Sequence, residues 1–89
     1  MTDERLQALH RHLAETGERP VERTASRWLG EAEAVAADIA AGELSEDVLA
    51  ERLITVDHIL SHIESTADAV ADDHVDAARE IVDTMLDEL

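Results

Sequence analysis

Two histidines four residues apart come nearest to carrying chemistry: His58 and His62, in the run Asp57-His58-Ile59-Leu60-Ser61-His62. On a helix that interval places both imidazoles on one face, where a neutral ring nitrogen from each can bind a divalent cation. Ile59 occupies the position at which the HExxH metalloproteases carry their general-base glutamate, so the pair offers ligands but no means of activating water. A closed metal site needs at least one ligand more. Asp57 lies about 100° away around the helix, which leaves His10, His12 or another subunit to complete the set. His10 and His12 are two residues apart and face different ways on a helix, so they read as surface residues rather than a chelate. Asp72, Asp73 and His74 precede an apolar periodic run, the ordinary signature of a helix start.

The remaining chemistry is excluded residue by residue. Ser26, Ser45, Ser61 and Ser65 have no glycine elbow around them, so none reads as a hydrolase nucleophile. Gly17, Gly30 and Gly42 stand alone and build no phosphate-cradling loop. With no cysteine there is no disulfide framework, thiolate zinc site or cysteine nucleophile. A helix-turn-helix reader across Gly42 would present Glu46, Asp47 and Glu51 where base and phosphate contacts belong. The expectation is a protein that is not an enzyme and uses no cofactor.

Charge is the strongest compositional signal. Asp and Glu number 22 against 7 basic residues, all of them arginine, and the formal net charge is -15. Such a surface repels phosphate backbones and anionic membranes, so neither nucleic acid nor membrane is an expected partner. Acidic excess, absent lysine and a body rich in Ala, Val and Asp resemble the proteins of salt-in halophiles, haloarchaea especially; the likeness marks a proteome rather than a functional family. It implies adaptation to high salt; the polar start Thr2-Asp3-Glu4, with no secretory pattern or apolar run of membrane-spanning length, makes a cytoplasmic location the expectation. The charge is uneven: residues 1–27 balance five acids with five arginines, whereas residues 28–89 set 17 acids against Arg52 and Arg79. A neutral first segment can lie against the acidic remainder without adding to its repulsion.

Four amphipathic segments must position these residues. Thr2 is placed to cap a short first helix, about residues 3–16, whose stripe is Leu6, Leu9 and Leu13. Three leucines are a thin attachment, so this helix is expected to lie across the others and to be dispensable on deletion of residues 1–17. Gly17 to Pro20 connects it to a long second helix, about 21–41, with Val21, Ala25, Trp28, Ala32, Val35 and Ile39 inward and Gly42 as terminator. Ser45 caps a third helix, about 46–71, in which Leu49, Leu53, Val56, Leu60, Ile63, Ala67 and Val70 share one stripe. A break at Ala71 to His74 then leads into a fourth, about 74–88, faced by Val75, Ala78, Ile81, Val82, Met85 and Leu86. The run Asp72 to Val82 resembles the start of a tetratricopeptide helix, but the companion Trp/Leu/Gly/Tyr pattern is missing.

The fold expected is therefore all-α: one domain over residues 1–89, an antiparallel bundle of three long helices plus a short N-terminal one. Two surface features point beyond the core. Ile54 stands off the main stripe of its helix beside His58, and Gly30, Ala34 and Ala37 form a small-residue face opposite the apolar stripe of the second helix. These residues make a protein-protein interaction or self-association module the first functional reading. A metal-binding bundle using His58 and His62 is the alternative, and a small nucleic-acid-associated regulator is third.

Overall fold

The computed structural model describes residues 3–89 and contains four helices: α1 (Glu4–Thr16), α2 (Arg23–Ala41), α3 (Glu46–Leu60) and α4 (Ala69–Glu88). No strand occurs among the described residues. The expected cap Thr2 lies outside them; Asp3 caps α1 instead, its carboxylate accepting the Arg5 N–H at 2.8 Å. Glu22 caps α2 by accepting from the N–H groups of Thr24 and Ala25, and Ser45 caps α3 by accepting from Val48 N–H.

The helices form an up-and-down square. α1 packs on α2 and α4, α3 packs on the same two, and the diagonals α1–α3 and α2–α4 do not meet. Cross-links between the ends show that neighbours run antiparallel: Arg5 near the start of α1 bonds Glu88 at the end of α4, and Gln7 reaches the Ala40 carbonyl at the end of α2. The molecule measures 35 × 19 × 17 Å.

α1 is a full wall of this square rather than a strap across it. Leu9 and Leu13 are completely buried and Leu6 nearly so, all in the shared core, and Thr16 is buried beside them at the end of the helix. Burying each leucine contributes roughly 1.5–3 kcal/mol, and α1 is the element that keeps α2 and α4 apart across one side of the square. The expectation of a loosely laid first helix is corrected on that ground.

The break between the last two helices also falls earlier than the apolar spacing implies. α3 stops at Leu60 instead of near residue 71, and α4 begins at Ala69 instead of near residue 74. Ile63 is still buried, but from a turn; Ala67 lies exposed with a left-handed φ of 64°, and Val70 is 43% exposed. Side chains of Ser61 and of α4 supply the competing bonds that end the helix. The Ser61 hydroxyl bonds the His58 carbonyl, and Arg79 of α4 donates to the carbonyls of Leu60, at 2.6 Å, and Ile63. Asp68 then caps α4 through Ala71 N–H, while Asp72, one turn in, accepts from both the backbone N–H and the hydroxyl of the buried Thr66. Neither Asp72 nor Asp73 is the cap.

In α2 the buried residues are Ala25, Leu29, Ala32, Ala36 and Ile39. The stripe is thus turned toward Leu29 and Ala36, which leaves Val21, Trp28 and Val35 at its border. The rotation brings Trp28 to the α2–α3 seam.

Candidate functional site

At that seam the indole of Trp28 stacks on the imidazole of His62, with ring centroids 4.4 Å apart and planes 11° from parallel. His58 meets His62 edge-on, centroids 5.1 Å apart and planes at 88°. One turn back along α3 from His58, Ile54 is 56% exposed, the largest value among the big apolar side chains of the described residues. Trp28 is the chain's one residue of the Phe, Trp and Tyr class, and it lies half-buried at the surface instead of in the core. His62 reaches it because α3 has already ended: Ser61, His62 and Ile63 form tight turns whose N–H groups bond back to Asp57, Ile59 and Leu60. An open groove of about 500 Å³ continues the seam toward the start of α2, lined by Glu22, Thr24, Ser61, His62, Glu64 and Ser65.

The structure thus joins Ile54 and His58 into one strip and adds Trp28 and His62. The small-residue face is not part of it. Gly30 and Ala34 are exposed and Ala37 is half-buried, but Gly30 follows Trp28 by two residues and faces another side of α2. A Cβ at Gly30 would meet no heavy atom within 4 Å, so nothing in the chain requires a glycine there.

As metal ligands His58 and His62 remain two. Among the described residues no group of three or more His, Asp or Glu converges on a common point. His10 and His12 cannot complete the set, because α1 does not touch α3.

Two other constellations escaped the spacing of the sequence. Near one end of the bundle, Arg19 in the α1–α2 connection grips Asp68 with Nε at 2.9 Å and Nη2 at 3.1 Å, and Glu22 N–H bonds the Thr66 carbonyl at 2.7 Å. The Arg19 guanidinium, then the Ala71 N–H, hold the Asp68 carboxyl below its ordinary range; the backbone N–H of Thr66, then its hydroxyl, do so for Asp72. The Ser/Thr/Asp density of residues 61–68 was the available signal for this junction. At the α1–α4 seam, His12 Nδ1 lies 2.9 Å from His74 Nδ1, and His74 Nε2 lies 3.0 Å from Glu15 Oε2. His12 is therefore not a free surface residue. It and His74 are 62 positions apart, and no local pattern connects them.

No curated protein and no solved structure matches the chain. A family model described as a domain of unknown function (DUF8152) matches residues 5–89, from the first turn of α1 to the last residue, and the chain belongs to that family.

Proposed function

We propose that this domain is a non-enzymatic protein-interaction module that works at high salt and binds through the α2–α3 seam. The observation that carries the reading is the placement of Trp28: the one large aromatic side chain is half-exposed, stacked on His62 and followed by His58 and the exposed Ile54. Tryptophan is among the residues that dominate interface energies, and an apolar anchor with polar neighbours is the usual anatomy of a contact's centre and rim. Glu22, Glu64 and Asp57 supply such a rim here. The acidic, lysine-free composition supports a salt-rich cytoplasm as the setting.

A second copy is the partner open to direct test, because screening shortens to about 3 Å in 1 M salt and removes most of the repulsion between two chains of charge -15. Trp28 is the sole tryptophan, so its emission reports on the seam itself. In 2 M KCl, wild type is expected to sediment above the monomer mass as concentration rises, with a blue shift of Trp28 emission. Ile54→Glu should keep its helicity and remain monomeric. A wild type that stays monomeric at millimolar concentration removes self-association, and an Ile54→Glu variant that associates normally removes the seam.

A further inference from the structure

The contact between His12 and His74 has a geometry that separates a shared proton from a shared metal. The nitrogens are 2.9 Å apart and the ring centroids 5.2 Å apart, a difference of 2.3 Å that corresponds to two ring radii. Both Nδ1 atoms therefore sit on the line joining the rings, with their in-plane directions collinear, as a hydrogen bond requires. Two imidazoles binding one cation aim their lone pairs at a common third point and, for the same nitrogen separation, bring the rings closer. The separation and direction fit one shared N–H between the rings.

The network assigns where the protons are. Glu15 Oε2 lies 3.0 Å from His74 Nε2, and its negative charge favours a hydrogen on that nitrogen in the neutral ring, which leaves His74 Nδ1 as an acceptor. His12 Nδ1–H must then be the donor, and His12 Nε2 holds the free lone pair. An added proton has a place, on His12 Nε2, and the resulting charge can move through the bond toward Glu15. A second added proton has none, because it would set two N–H groups against each other at 2.9 Å.

We propose that His12 and His74 form a one-proton clamp between α1 and α4, holding the seam while at most one of the two imidazoles is charged and opening it when both are. The charged groups around the pair are Glu15 and Arg11 on α1, and Glu80 of α4 with Arg5, which share the groove that His12 lines. On the α2 side of α1 stands a separate pair, His10 Nε2 at 3.8 Å from Glu33. Burial first, then His74 and Arg11, hold His12 below its ordinary value of 6.5. The released state therefore takes the last proton more readily than the held one. The clamp's contribution is intact above about pH 6.5 and is lost as the pH falls from there toward the lowered value. Being a neutral hydrogen bond, it also survives the molar salt that screens the Arg5–Glu88 pair at the other end of α1.

The test is nuclear magnetic resonance on the full chain in 2 M KCl from pH 8 to 4.5, reading imidazole tautomers and amide exchange. At pH 8, His12 is expected as the Nδ1–H tautomer and His74 as Nε2–H. Below about pH 6.5, exchange of α1 amides, corrected for its intrinsic pH dependence, should accelerate about tenfold per pH unit ahead of α2 and α3. His12→Gln should abolish that dependence. Nε2–H tautomers on both rings in the wild type, α1 protection flat to pH 5, or equal acceleration in His12→Gln would each overturn the clamp. The wild-type tautomers decide the matter alone if the variant does not fold.

Discussion

Arg79 directs its guanidinium at the end of another helix. Its Nη2 donates to the carbonyls of Leu60, the last residue of α3, and Ile63 in the turn that follows, and its Nη1 lies 3.7 Å from Asp76. A hydrogen bond from a charged donor contributes about 1.5–3 kcal/mol, so Arg79→Met is expected to destabilise the domain by that amount in urea unfolding at 2 M KCl. Arg79→Lys should recover only part of it, because a single ammonium cannot stand both between the two carbonyls, where Nη2 is, and toward Asp76, where Nη1 is. Full recovery by lysine would show that one donor nitrogen at the carbonyls is sufficient. The carboxylates of the same junction share the pH sense of the histidine clamp, losing their contribution as pH falls, and differ from it only in range. Asp68 and Asp72 have lowered values in the folded state, so their contribution is complete above the ordinary aspartate value and fades as pH drops through the lowered one.

Among the elements, α1 changes most from what its sequence suggests. Its stripe is only three leucines, yet these fill the space between α2 and α4 with at most 8% exposure. Pairs at both ends fasten it, Arg5 to Glu88 at the start and His12 to His74 at the C-terminal half. Deleting residues 1–17 would expose the inner faces of Leu29, Val82 and Met85 to water. The truncated chain is expected to lose cooperative thermal melting, with residual helicity only. A sharp transition in that truncation, measured by circular dichroism in 2 M KCl, would mean that the other three helices form a sufficient core.

Across the whole molecule, the 17 carboxylates of residues 28–89 face only Arg52 and Arg79 within that stretch, on a body no more than 35 Å long. Repulsion over such distances is strong at a screening length of about 10 Å in 0.1 M salt and small at about 3 Å in 1 M. The melting temperature should therefore climb steeply between 0.1 and 2 M KCl. A flat profile over that range would remove the high-salt reading while leaving the fold untouched. No helix among the described residues is long and apolar enough to cross a membrane.

The sequence by itself determined the all-helical class, four segments, the caps Ser45 and Gly42, and most of the core, because a 3.6-residue period records locally which side of each helix avoids water. It misled where that period ran on through residues 61–68. Ile63 keeps the spacing although the backbone has left the helix, since the hydrogen bonds that end α3 come from Ser61 and from Arg79, the latter 19 residues beyond Leu60. It was silent on His12, His74 and Glu15, and on Trp28 with His62, because each set is assembled by helices that meet only after folding. Periodicity reports what one helix buries; which side chains of two helices come within hydrogen-bonding or stacking reach depends on their mutual rotation and register, and these are settled by packing.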